Sequence, residues 1–362
     1  MSLSFVHDAL PMRVVFGPGR LADLGGEVDR LGLRRVLVLG TAEQEAALRA
    51  TADGLGGRAA GVFAEARQHV PVAVAAAAAD RARELGADGC VAVGGGSSVG
   101  LGKAVALRHG LPVVAVPTTY AGSEMTPIWG LTEDGEKRTG RDRAVLPRTV
   151  VYDPELTRSL PVGLSVTSGL NAVAHAVEGL WAPDGTPITA LMAEEGVRAL
   201  LAALPAIVER PDDLDARSGA LQGAWLCGAV LGATTMSLHH KLCHVLGGSF
   251  DLPHAETHAV VLPHVVAHNG PSAPAAVAAL GRALGVAAGP NTEADKVADT
   301  VATALADRAR ELGAPTSLAA IGMPCDGLAQ VVDAVLAAPY ANPAPVTRAS
   351  LTALLEAAYQ PA

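Results

Sequence analysis

Seven of the chain's eleven histidines fall between His239 and His268. Imidazoles carry protons and hold metals near neutral pH, so this stretch is where chemistry is expected. His240 and His244 are four apart in a segment of helical character, which puts both rings on one face. Gly247-Gly248 is expected to break that helix and Pro253-His254 to restart it. That geometry returns His254 toward the same spot. Upstream, Asn171 and His175 again stand one turn apart on an apolar helical segment. Two such helices facing each other make a pocket of imidazoles and an amide in an apolar interior. For any one histidine a place on the surface or in the core is the plainer reading. For the set at these spacings it is not.

A second group of residues has the chemistry of an anion cradle. The apolar strand Cys90–Val93 runs into Gly94, Gly95, Gly96, Ser97 and Ser98, which open a helix. Glycines let a backbone approach a pyrophosphate, Ser97 is the expected N-cap, and the helix N-terminus offers free N–H groups. Gly102-Lys103 resembles the end of a Walker A loop. However, Ser97 stands where its first glycine belongs and Ala104 where its Ser/Thr belongs, which excludes an ATPase. After the next strand, Val113–Val116, the loop from Pro117 to Glu124 brings the hydroxyls of Thr118, Thr119 and Ser123 to the carboxyl edge of the sheet, where ligands bind in such folds. The rival stretch Gly17-Pro-Gly19-Arg-Leu-Ala22 fits a dinucleotide pattern but is stiffened by its proline. The strand Val36–Leu39 that follows ends in Gly40-Thr41, without a carboxylate for a ribose.

The elements that position these residues follow two patterns. Up to about residue 153, β-branched runs (Arg13–Phe16, Val36–Leu39, Gly61–Phe63, Cys90–Val93, Val113–Val116) alternate with helical stretches (Glu43–Gly54, Val70–Gly86, Ser97–His109). That alternation predicts a doubly wound α/β domain with a parallel sheet. From Asp153 onward no strand is expected, and helical periodicity continues with breaks at Pro183-Asp-Gly, Pro211, Gly289-Pro290 and Pro343. The expected domains are therefore 1–153, α/β, and 154–362, all-helical.

Composition removes other classes. A net charge of −9 with no basic run argues against nucleic acid and anionic membrane partners. No signal-peptide pattern and no uninterrupted apolar span of membrane length is present. Four widely spaced cysteines read as free thiols in a reducing cytoplasm.

The strings GGGSS at 94–98, PTTYAGSEMT at 117–126, SGLNAVAHAVE at 168–178 and HHKLCHVLGGSFDLPHAETHAVVLPH at 239–264 together resemble the iron-containing (group III) alcohol dehydrogenase family over nearly the full chain. The resemblance implies a dehydroquinate synthase-like fold, with an N-terminal NAD(P)-binding α/β domain, a C-terminal helical domain and catalysis between them. A homodimer is the expected assembly. Metal-dependent relatives hold a divalent ion with one Asp and three His. Here those positions fall on Asn171, His175, His240 and His254, so a neutral amide replaces the anionic ligand and the case for a divalent metal is weakened. Gly100 also stands where many relatives carry Asp. PIWGLTEDGEKRTGRD at 127–142, with the histidine-rich string, resembles the branch that reduces maleylacetate to 3-oxoadipate.

Such a reduction delivers hydride from NADH or NADPH to an alkene conjugated to a ketone, and imidazoles can stabilise the resulting enolate and return a proton. His244 is the expected proton donor, with His240, His254 and His175 around the oxygen. Lys241, Lys137, Arg138 and Arg141 are candidate cations for the dicarboxylate, while Gly94, Gly95, Gly96, Ser97, Ser98, Thr118, Thr119, Ser123 and Lys137 are the expected cofactor contacts. Two alternatives stay open: a metal-dependent alcohol or aldehyde dehydrogenase of the same family, and a metal-dependent lyase or synthase of the wider fold.

Overall fold

The computed structural model describes residues 5–133, 136–286 and 293–360, with backbone alone at 136 and 137. Its strands are β1 Arg13–Phe16, β2 Val36–Leu39, β3 Ala59–Phe63, β4 Gly89–Gly94, β5 Val113–Pro117, β6 Ile128–Glu133, β7 Glu136–Arg141 and β8 Thr149–Tyr152. The first helices are α1 Leu24–Arg30, α2 Glu45–Leu55, α3 Val72–Glu84 and α4 Gly96–His109. The later ones are α5 Val162–Leu180, α6 Pro187–Glu209, α7 Leu214–Ala233, α8 Leu238–Phe250 and α9 His254–Asn269. They are followed by α10 Pro274–Leu284, α11 Ala294–Glu311, α12 Leu328–Leu336 and α13 Arg348–Tyr359.

Two compact units emerge. The sheet unit comprises Ala9–Leu160 together with Asp212–Leu221. The helical unit comprises Pro161–Pro211, the residues from Gln222 onward and the described residues before Ala9. The units therefore interleave in sequence, and the change from strand to helix near Asp153 precedes the packing boundary at Leu160.

In the sheet unit six strands run in the order β1-β8-β5-β4-β2-β3, every neighbouring pair parallel. Residues of β2, β4, β5 and β8 are buried throughout, as a sheet covered on both faces requires. β8 was not expected from the sequence. It is only Thr-Val-Val-Tyr behind Pro147, too short to show a period, yet it fills the place between β1 and β5. β6 and β7 form a separate antiparallel hairpin. At Gly102 a Cβ would lie 3.2 Å from the Ala92 Cβ and 3.3 Å from the Val113 side chain, so the missing side chain lets α4 press onto the sheet.

In the helical unit α5 is buried on all sides from Ser165 to Gly179, which suits a central helix. Leu242 and Leu246 of α8 share a core with Val261 and Val265 of α9, Val331 and Val335 of α12, and Leu351 and Leu355 of α13. This packing overrides one expectation: α8 runs unbroken through Gly247-Gly248 to Phe250. Two glycines cost roughly 1 kcal/mol each in a helix, and the anchored leucine face outweighs them. The stop comes instead at Asp251, in the left-handed conformation (φ 51°), before Pro253 caps α9. The expected break at Gly289-Pro290 lies outside the described residues. Among the described residues no helix is long and apolar enough to cross a membrane.

Candidate functional site

The cradle in the sheet unit is built by two neighbouring strand ends. β4 and β5 pair in parallel up to Gly94 and Pro117, and the Thr118 N–H donates to the Gly94 carbonyl at 3.1 Å. Gly94 has φ +136°, and a Cβ there would sit 2.3 Å from the Ser98 hydroxyl and 2.6 Å from the Gln44 amide oxygen. A Cβ on Gly95 would lie 2.9 Å from Thr119. The backbone is thus bare at the place where α4 opens, with its free N–H groups directed outward. The helix begins at Gly96 with Gly95 as N-cap, so Ser97 lies inside the first turn and is not the cap the sequence suggested. Ser98 is buried, and its hydroxyl has no hydrogen-bond partner among the described residues. An orphaned hydroxyl beside a glycine cradle at a helix N-terminus fits a phosphate-bearing nucleotide.

Three residues that the sequence did not assign to the cradle complete it. Gln44 donates to the Thr118 hydroxyl at 3.2 Å. Lys103 is fully buried, and its ammonium donates to the Ser123 carbonyl at 2.6 Å, the Thr126 hydroxyl at 2.9 Å and the Ile128 carbonyl at 2.8 Å. It therefore ties the threonine- and serine-bearing loop to α4. Burial pulls this ammonium down to about 7, against the opposing effect of Glu124. Glu124, raised by burial, accepts from the Tyr152 hydroxyl at 2.7 Å. The competing glycine stretch has no amides to spare, since the Gly19 and Leu21 N–H groups donate to the Asp153 carboxylate at 3.1 and 2.9 Å.

In the helical unit six imidazoles converge from α5, α8 and α9. His175 and His240 are stacked with ring centroids 5.0 Å apart, and His240 and His258 are also 5.0 Å apart, edge to face. His254 and His258 are at 4.4 Å, and His244 and His254 stack at 6.5 Å. Burial is graded across the cluster. His239 and His258 are fully buried, His175 and His240 nearly so, His254 is half-buried and His244 is exposed. The expected quartet of His175, His240, His244 and His254 is thus one contiguous set, with His244 at its open rim.

Glu178 organises this set. Its carboxylate accepts from His240 Nδ1 at 2.7 Å and from the backbone N–H groups of Ser237, His239 and His240 at 2.9, 2.8 and 3.2 Å. It also accepts from the Ser237 hydroxyl. A carboxylate is thereby placed at the N-terminus of α8, where the helix dipole favours it. Burial alone would raise the Glu178 carboxyl, yet the bond from His240, the charges of His240 and His239 and the Ser237 hydroxyl bring it down to about 2. Because an ionised carboxylate only accepts, His240 Nδ1 must carry a proton. His240 Nε2 then faces His175 Nδ1 at 2.9 Å. Glu178 was missed from sequence because its partners, Ser237, His239 and His240, lie some sixty positions away.

The donor set at the family's metal positions suits a dication poorly. Asn171 contributes a buried amide oxygen that has no hydrogen-bond partner among the described residues, but an amide brings no charge. Three imidazoles and an amide leave the full charge of the ion to Glu178, which sits behind His240 and not at the site itself.

The candidate substrate cations are unequal. Lys241, on α8, is half-buried. Arg138 is exposed and pairs with Glu133 at 3.5 Å on the hairpin. Arg141 stands opposite Ile128 in the same hairpin, and the Lys137 side chain lies outside the described residues.

Comparisons with known proteins agree with this architecture. Residues 11–154 match the iron-containing alcohol dehydrogenase family, and residues 165–359 match its C-terminal part. The chain is 54% identical over 356 residues to maleylacetate reductase of Burkholderia cepacia, covering 98% of each chain. It superposes on the crystal structure of maleylacetate reductase from Agrobacterium tumefaciens with a TM-score of 0.93 and 50% identity, covering 99% of both chains. The corresponding enzyme from Rhizobium sp. strain MTP-10005 gives a TM-score of 0.92 and 49% identity over 99% of both. The chain belongs to the iron-containing alcohol dehydrogenase family.

Proposed function

We propose that this chain reduces the carbon–carbon double bond of maleylacetate to give 3-oxoadipate, using NADH or NADPH. The observation that carries the reading is a converging set of imidazoles, graded from buried to exposed, at which an amide replaces the family's anionic metal ligand. The full-length likeness to maleylacetate reductases supports it. The alkene is conjugated to a ketone, so a hydride arriving at the carbon β to the ketone leaves charge on the ketone oxygen. A bound nicotinamide nucleotide would supply that hydride. The protein then has to hold an enolate oxygen and deliver one proton to the α carbon, which N–H donors achieve without a Lewis acid.

His240, fixed by Glu178, its neighbour His175 and His254 would shape the oxygen site, and the His240–His175 pair needs one further proton to present an N–H there, because its facing nitrogens already share one. His244, at the exposed rim, can exchange protons with water between turnovers, which suits the donor of the final proton. Lys241, one residue from His240, offers a charge for a substrate carboxylate. Gly94, Gly95, Gly96, Ser97 and Ser98, with Thr118, Thr119 and Ser123, would receive the nucleotide's phosphates. The same reading includes a homodimer acting in the cytoplasm, within the breakdown of aromatic compounds.

The test is a steady-state assay with maleylacetate and each reduced nucleotide, followed by product identification. 3-Oxoadipate is the expected product. A hydroxy acid, formed by reduction of the ketone, would overturn the proposal in favour of a carbonyl-reducing alcohol dehydrogenase.

A further inference from the structure

Beside the four imidazoles assigned to the proposed reduction lies a trio with no part in it. His239 and Cys243 stand one turn apart on α8, and His258 faces them from α9. His239 Nε2 is 2.9 Å from His258 Nδ1 and 3.7 Å from the Cys243 sulfur. One donor atom from each residue falls within 4.8 Å of the other two. All three side chains are essentially inaccessible.

We infer that His239, Cys243 and His258 form a binding site for a thiophilic divalent cation, zinc being the natural occupant. The site is separate from the family's metal position at Asn171, His175, His240 and His254.

Three observations support this. The first is geometry. Zinc bonds of about 2.3 Å to sulfur and about 2.0–2.1 Å to nitrogen place tetrahedral ligand atoms roughly 3.3–3.6 Å apart. The two separations above bracket that range, and the third, between Cys243 and His258, is no more than 4.8 Å. The second is donor chemistry. Two imidazoles and a thiol are a zinc-binding set. Binding needs the imidazole that donates the inter-ring hydrogen bond to shift its proton to its outer nitrogen, and the Cys243 thiol to release its proton to solvent as the zinc–sulfur bond forms.

The third is charge balance. A dication with one thiolate carries a net charge of +1, and the ionised Glu178 carboxylate is close enough to interact electrostatically with both His239 and Cys243. The assembly is then neutral as a whole, whereas a dication at the family position, held by four neutral donors, would remain at +1 even with Glu178 counted. The outer nitrogens, His239 Nδ1 and His258 Nε2, have no hydrogen-bond partner among the described residues. The hydrogen bond between the two rings therefore does not already satisfy the pair.

The test uses the full-length protein expressed in zinc-supplemented medium and dialysed against EDTA. Zinc content is then measured and the zinc K-edge absorption spectrum recorded. The expected result is about one retained zinc per chain, with one sulfur neighbour near 2.3 Å and the rest nitrogen or oxygen. C243S should lower zinc affinity at least about a hundredfold, and H254A should leave it unchanged. Zinc retained with no sulfur neighbour, and lost in H254A, would place the ion at the family position and overturn the inference. Absence of retained zinc from the wild-type protein would also overturn it, making the trio a hydrogen-bonded core cluster only. Neither readout depends on the identity of the substrate, so this inference and the proposed reduction fail independently.

Discussion

Glu178 holds His240 through Nδ1 at 2.7 Å while its carboxylate caps the first turn of α8, so one buried side chain orients an imidazole and starts the helix that carries it. The linkage to pH follows directly. The folded value, about 2, lies below the ordinary 4.5, so this carboxylate stabilises the fold above pH 4.5 and loses that contribution as pH falls toward 2. The difference is on the order of 3 kcal/mol. Urea titrations from pH 6 down to pH 2 should show a decline over that window. E178Q should be less stable at pH 6 and flatter across the window. An E178Q protein with the wild-type slope would assign the decline to other carboxylates.

His244 is the exposed member of the imidazole set, and the cradle proposed for the nucleotide belongs to the sheet unit. H244A should therefore lower kcat by about 10²–10⁴, the usual worth of general acid–base catalysis, with NADH binding nearly unchanged. K241A should instead raise the KM for maleylacetate more than it lowers kcat, as expected when ground-state charge pairing is lost. Stopped-flow binding of NADH alongside steady-state kinetics separates the two. A near-normal kcat in H244A would move the proton donor to His240 or His254.

What the sequence revealed and what it hid have the same physical origin. Long periodic features were legible. The strands Arg13–Phe16 and Val36–Leu39 stand where expected, α4 opens within one residue of the expected place, and His175, His240, His244 and His254 come together as their spacing implied. Features that depend on distant partners were hidden. Thr149–Tyr152 is a strand because β1 and β5 flank it, and the glycine pair at 247–248 stays helical because Leu242 and Leu246 are anchored in a core. Lys103 looked like the remnant of a nucleotide motif, but its role is set by the carbonyls of Ser123 and Ile128, more than twenty residues away for the latter. Glu178 sat inside a string that was read for its histidine. Its function depends on Ser237, His239 and His240, some sixty positions later, and no local pattern reports that.

Lys103 gives a prediction about the cradle. Its three short hydrogen bonds fix the loop bearing Ser123 and Thr126 against α4, and methionine can fill the same volume but cannot donate. K103M should raise the KM for the nucleotide about tenfold or more, the effect of losing about 1.4 kcal/mol of loop preorganisation. The kcat at saturating nucleotide should fall much less. G95A should share that phenotype, because its Cβ would push Thr119 from a distance of 2.9 Å. Calorimetric titration with NADH checks both. Unchanged nucleotide affinity in K103M would reduce the buried lysine to a packing role.

The expected choice of nucleotide follows from the end of β2. The strand stops at Leu39, and Gly40-Thr41-Ala42 follow without a carboxylate that could chelate the ribose hydroxyls or repel a 2′-phosphate. Gly40 has no room for a side chain, since a Cβ would meet Leu48 at 2.5 Å, so the strand end stays bare. NADH and NADPH should therefore be used with kcat/KM values within about tenfold of each other, a gap of roughly 1.4 kcal/mol. G40D should not create a clean NADH preference, because the clash with Leu48 would distort α2 before the carboxylate could reach a ribose. Placing Asp at Thr41 should create one, by repelling the 2′-phosphate of NADPH. Parallel kinetics with both nucleotides on wild type and T41D check the argument. A wild-type ratio beyond a hundredfold would show that another residue discriminates, with Glu43, just beyond the strand end, the first to substitute.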